Sequence, residues 1–169
     1  MGRDRCPGIH KQPSRRMGKI MLDLKQYNCV CVDTAPFIYF IEEHPKYISA
    51  VEQIFLEISH GNITGISSYL SLLEVLIKPI KKGARDIAVQ YRDFMLNNAF
   101  LRLFPLDDKV AELAAELRAR YDGNGLKLKT PDAIQIATGI LNGADVFLTN
   151  DGRLKNVKEI DVVVLDDVI

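Results

Sequence analysis

Residues 28–41 read NCVCVDTAPFIYFI, and this stretch decides the fold. Its first residues, Cys29 to Val32, are apolar without a break, as in a strand buried on both faces. Asp33 follows the strand directly. Pro36 suits the first turn of a helix, where its missing N–H costs nothing. A doubly buried strand running straight into a helix is the opening move of a parallel α/β sheet.

The rest of the chain repeats that alternation. Pro45 opens a helical pattern in which Ile48, Val51, Ile54, Phe55 and Ile58 recur every three or four residues, until Gly61 and Asn62 stop it. Residues 62–67 read as a second strand, and Ser67 or Ser68 caps a helix over 69–77 that Pro79 ends. An amphipathic helix is expected over 81–98. A third strand follows over 100–106, closed by Pro105 and the Asp107-Asp108 cap. Residues 109–121 are rich in Ala, Leu, Glu and Arg and predict a helix, and 122–125 a turn. Thr130-Pro131-Asp132 looks like a cap, an N1 proline and a first-turn acid, opening a helix that closes at Asn142-Gly143. Residues 144–149 and 162–165 complete the strands. The expected fold is a three-layer α/β/α sandwich with a central parallel sheet of four to five strands.

At 169 residues the chain is about one domain. Its 47% hydrophobic and 26% charged residues are those of an ordinary globular protein. Lys plus Arg equals Asp plus Glu at 22 each, so any nucleic acid must be held by local patches rather than global charge. The balance hides a basic start, with Arg3, Arg5, Lys11, Arg15, Arg16, Lys19 and Lys25 against Asp4 and Asp23. Residues 1–26 lack apolar periodicity and read as a disordered leader or a mis-set start, with Met17 or Met21 as the initiator, before one domain over 27–169. No apolar signal core and no run of about 18 apolar residues is present, so no membrane is expected and the cytoplasm is the expected compartment. Cys6, Cys29 and Cys31 make no disulfide framework. Cys29 and Cys31 alternate onto one face of their strand and read as small buried hydrophobes rather than zinc ligands.

Chemistry points to four acids. Asp33, Glu74, Asp132 and Asp151 are far apart in sequence, but each stands at a strand's end or in an adjoining helix. In an open α/β sheet such positions converge on one crevice beyond the carboxyl ends of the strands. Carboxylates gathered there oppose one another, and a hard divalent cation resolves the conflict. Each also has an ordinary structural explanation. Asp33 and Asp151 are common turn residues, and Asp132 is favoured by the helix macrodipole alone. Glu74 lies in a helix apolar nearly all round, where a carboxylate needs a partner or a metal. Lys78, four residues on, could supply the partner. His10, His44 and His60 show no motif spacing, and no phosphate-cradling glycine loop is present.

These residues resemble a known family. Cys31-Val32-Asp33-Thr34, Glu74 in its apolar helix, Thr130-Pro131-Asp132-Ala133 and Thr149-Asn150-Asp151 are similar to the motifs of PIN-domain nucleases, most of all the VapC-type toxins, over residues 28–169. The resemblance implies a Mg²⁺- or Mn²⁺-dependent endoribonuclease. Its acidic ligands fall on Asp33, Glu74, Asp132 and Asp151, and its helper hydroxyls on Thr34 and Thr149. It also implies an RNA substrate, a small antitoxin partner and a homodimer, for which the apolar helices over 45–58 and 69–98 are candidates. The basic leader is a departure from the family's pattern. Lys78, Lys81, Lys82, Arg85, Lys127, Lys129 and Arg153 are candidate phosphate contacts.

Two other readings remain open on sequence alone. One is a degenerate domain of the same fold that binds RNA or protein without catalysis. The other is a haloacid-dehalogenase-like phosphatase or a receiver module, which shares the acid after its first strand. The phosphatase would want a second Asp at position 35, which is Ala.

Overall fold

The structure is a computed structural model that describes residues 26–123 and 125–169. Residues 1–25 of the basic leader, Cys6 among them, lie outside the described residues. Five strands form one all-parallel sheet: β1 (Cys29–Val32), β2 (Thr64–Ser68), β3 (Leu101–Phe104), β4 (Val146–Thr149) and β5 (Asp161–Val164). Their order is β3-β2-β1-β4-β5. Seven helices flank it: α1 (Thr34–Ile41), α2 (Ile48–Ser59), α3 (Tyr69–Lys81), α4 (Arg85–Leu96), α5 (Asp108–Asp122), α6 (Thr130–Leu141) and α7 (Leu165–Val168). The expected three-layer α/β/α architecture is the one observed.

The period-two alternation of the central strands builds the two cores. Val30 and Val32 of β1, with Val146 and Leu148 of β4, enter one core with α1, α2 and α4. Cys31 and Phe147 point the other way, toward α5 and α6. Both faces of β1 and β4 are therefore buried, which accounts for their unbroken apolar sequence. Cys31 is a buried free thiol and Cys29 packs against the same core, as the alternation requires.

Two packing features set where the helices carry the site. Phe37 and Phe40 pin α1 against α2 and α4, with Phe37 to Phe55 at 5.3 Å between ring centroids and Phe40 to Phe94 at 4.8 Å. Such pairs add about 0.5–1.5 kcal/mol each beyond area burial. On the opposite face α6 lies close on β1 at Gly139, where a Cβ would stand 2.9 Å from the Cys31 Cβ. Only a glycine admits that approach without displacing backbone or strand.

Several local expectations are corrected. Pro79 does not end its helix: α3 continues to Lys81, with the Pro79 ring buried, at the cost of one backbone hydrogen bond. The following helix begins at Arg85 rather than Lys81, because Gly83 takes a left-handed φ of 68° and turns the chain. Thr130 is the first helical residue, and Lys129 occupies the cap position without a side-chain cap bond. The third strand is shorter than expected and the fifth gives way to α7 at Leu165. The expected caps at Ser68 and Asp107 are present, accepting from the backbone N–H of Leu70 at 3.1 Å and Val110 at 2.9 Å.

Candidate metal centre

The strand order reverses between β1 and β4, and ligand crevices of open parallel sheets form beyond the carboxyl ends of the strands at such a point. Asp33 leaves β1 there and Asp151 leaves β4 there. The two strand ends are tied directly, by the Asp33 N–H donating to the Leu148 carbonyl at 2.9 Å.

Asp33 is partly buried and firmly oriented. Its Oδ2 accepts the Thr149 hydroxyl at 2.6 Å, and its Oδ1 accepts the Thr34 N–H at 2.7 Å as the N-cap of α1. Burial pushes its carboxyl up to about 6, helped by the negative charges of Asp132 and Glu74 and opposed by the Thr149 and Thr34 hydrogen bonds. Asp132, in the first turn of α6, is also raised, first by burial and then by Asp151 and Glu74, while Lys129 and Arg153 pull it back. Asp33 is thus within electrostatic reach of Asp132 and Glu74, and Asp132 of Asp151 and Glu74.

Glu74 has partners that the sequence did not disclose. Its Oε2 accepts from the Thr34 hydroxyl and, at 3.0 Å, from the Gln135 Nε2. Lys78 is not its counter-ion, because Lys78 reaches Glu42 instead, at 2.6 Å. Asp151 is held by Arg153, whose Nε lies 2.9 Å from Oδ1 and 3.1 Å from Oδ2, with Nη2 also on Oδ2. That guanidinium holds the Asp151 carboxyl below the usual carboxylate range. The Asp151 N–H donates to the Thr149 Oγ1 at 3.0 Å, so one hydroxyl links Asp33 to the Asp151 turn. Asn150 anchors the same loop, donating to the Tyr39 hydroxyl at 3.1 Å and accepting the Asp166 N–H at 3.1 Å.

Among the described residues, no three carboxylate, imidazole or thiol groups already form a coordination cluster. Glu74 and Asp151 are both engaged by protein partners. The donor set nonetheless fits a hard cation. It consists of carboxylate and hydroxyl oxygens, it carries unshared negative charge, and the Asp132 Oδ2 is buried with no hydrogen-bond partner.

Of the expected phosphate contacts, Lys129 and Arg153 stand close enough to act on the acids electrostatically. Arg153 and Lys127 also line an open cavity of about 510 Å³ with Tyr121, Gly125, Leu126 and Asn156. Lys81, Lys82 and Arg85 are exposed at the turn between α3 and α4. They begin seven residues beyond Glu74, roughly 11 Å along the helix axis. Gln135 was missed; its available signal was an amide in the apolar run 134–137, three residues after Asp132.

Comparison with known proteins agrees with this architecture. The family whose sequence model matches is the PIN domain, over residues 30–160. Among solved structures the chain is similar to VapBC2 from Rickettsia felis bound to a DNA fragment from the promoter, with a TM-score of 0.65, 20% identity, and coverage of 80% of this chain and 98% of that one. It is similar to DNA-bound VapBC from Salmonella typhimurium, with a TM-score of 0.62 and 20% identity over 82% of this chain and 98% of that one. A toxin–antitoxin complex from Klebsiella pneumoniae matches at a TM-score of 0.58 and 20% identity, covering 81% and 97%. At such identities the likeness is one of fold. No curated protein matches the chain.

Proposed function

The chain belongs to the PIN domain family, and from that premise we propose that it is an endoribonuclease that hydrolyses RNA phosphodiester bonds with Mg²⁺ or Mn²⁺. The observation that supports the reading is that Asp33 and Asp151 leave β1 and β4 at the switch point, with Asp132 and Glu74 close enough to act on Asp33 electrostatically. A divalent ion bound there supplies Lewis-acid activation of water and neutralises charge at the phosphoryl group.

The chain's own residues do the positioning. Asp33 would be the principal ligand, already oriented by Thr149 and the Thr34 N–H. Asp132 and Asp151 contribute directly or through water, since Mg²⁺ keeps several waters. Glu74 completes the set or orients the attacking water. Lys129 and Arg153 meet phosphates beside the scissile bond, and Lys81, Lys82 and Arg85 meet phosphates farther along the strand. The test is cleavage of RNA by purified protein in Mn²⁺, Mg²⁺ or chelator. Metal-dependent cleavage that disappears in Asp33→Asn, with the fold retained, supports the reading; near-wild-type cleavage by that variant refutes it.

Solved structures of this fold include toxin–antitoxin complexes. On that basis a cognate antitoxin, a toxin role and a cytoplasmic setting are part of the proposal. Among the described residues no helix is long and apolar enough to cross a membrane. The exposed side chains Tyr69, Leu73, Ile77 and Ile80 of α3, with Val89 of α4, offer apolar surface for the antitoxin or a second copy. One observation favours a runner-up, RNA binding without catalysis: Arg153 already neutralises Asp151. The cleavage assay separates the two.

A further inference from the structure

One buried polar side chain at the site is not explained by the four acids. Gln135 is 2% exposed and lies three residues along α6 from Asp132. Its Nε2 donates to the Glu74 Oε2 and to the Thr34 Oγ1, each at 3.0 Å. The Thr34 hydroxyl in turn donates to the same Glu74 oxygen. The three side chains thus close a triangle of hydrogen bonds from β1's end, α3 and α6. The Gln135 Oε1 is buried with no hydrogen-bond partner. An apolar residue would fill this helix face without leaving a buried amide oxygen unsatisfied. What the amide supplies here is its Nε2, shared between Glu74 and Thr34.

Both donors fall on Oε2, leaving Oε1 free of these bonds. With both lone pairs of Oε2 engaged, Glu74 can offer both oxygens to one ion only by giving up at least one of these hydrogen bonds, whereas Oε1 ligates at no such cost. Ca²⁺ takes bidentate carboxylates readily in flexible shells of six to eight oxygens, whereas Mg²⁺ demands a tight octahedron and retains water. We infer that Gln135, together with Thr34, is a positioning residue that restricts Glu74 to one-oxygen ligation and so sets the site's preference for a small octahedral cation over calcium. The inference rests on the metal reading proposed above.

The test is direct titration of metal-free protein with Mg²⁺, Mn²⁺ and Ca²⁺, read by calorimetry and by the shift in melting midpoint, with no nuclease assay involved. Gln135→Met and Thr34→Val each remove a donor; Thr34→Ser keeps the hydroxyl. Mg²⁺ affinity is expected to fall about 10–100-fold in the first two, the usual effect of losing a partner behind a ligand. Ca²⁺ affinity should be kept or improved, so that the preference narrows, and Thr34→Ser should keep the wild-type preference. Circular dichroism checks the fold, and if Gln135→Met fails to fold, the Thr34 pair decides. An unchanged Mg²⁺-to-Ca²⁺ preference in the donor-deleted variants overturns the inference, whether both affinities hold or fall in proportion. Wild-type protein that binds none of the ions overturns the metal reading itself, and this inference with it.

Discussion

Arg153 grips Asp151 from two residues away, its Nε within 2.9 Å of one carboxylate oxygen and 3.1 Å of the other. The residue expected to meet RNA is thus also the counter-ion of an expected metal ligand. A divalent cation and the guanidinium compete for the same charge, and the pair is exposed enough for the exchange to be cheap. Arg153→Gln is expected to bind Mn²⁺ a few-fold more tightly and RNA more weakly. Parallel calorimetric and RNA-binding titrations check both halves. Loss of metal affinity in the variant would mean that Arg153 supports the ligand rather than competing for it.

Asp33 gives a pH signature in metal-free protein. Its carboxyl sits near 6 in the folded state against an ordinary 3.8. Between those values the folded protein holds a proton that the unfolded chain has released, so stability falls as pH rises through that window and levels off above it. Asp33→Asn removes the buried charge. It should be more stable than wild type at pH 7.5 by roughly 1–3 kcal/mol, the difference closing below pH 4. Melting in chelator across pH 4 to 8 measures this, and saturating Mn²⁺ should reverse the order.

Gly139 sets how closely α6 approaches β1. In Gly139→Ala the new methyl would stand 2.9 Å from the Cys31 Cβ and 3.1 Å from its Sγ. Overpacking of this kind costs about 1–3 kcal/mol. Because α6 carries Asp132 and Gln135, metal affinity should fall along with the melting midpoint. A variant as stable as wild type would show that the helix moves freely over the strand.

The acids were legible before their surroundings were. Asp33 and Asp151 follow apolar runs that read as buried strands, and the switch-point rule puts both at the same end of the sheet. Glu74 stood out as a charge on an apolar helix. What local pattern does not encode is which distant group answers which. Lys78 is one helical turn from Glu74, yet it pairs with Glu42, while Glu74 is satisfied by Thr34 and by Gln135, 61 residues away. The reading of Pro79 as a stop failed for a similar reason, since burial of the ring outweighs one lost backbone bond.

Charge reversal at Lys81 and Lys82 tests the outer RNA path. Both side chains are exposed. If they touch phosphates, Lys81→Glu with Lys82→Glu weakens RNA binding and lowers the slope of log affinity against log salt by roughly 0.7 per lost contact on a single strand. An unchanged slope would remove these lysines from the interface.

Four carboxylates from separate elements are expected to gather around one ion. Anomalous diffraction from crystals grown with millimolar Mn²⁺ locates that ion directly. A peak is expected in contact with the Asp33 carboxylate and linked, directly or through one water, to Glu74, Asp132 and Asp151. No peak there, or manganese bound elsewhere while these four groups keep their present partners, would contradict it.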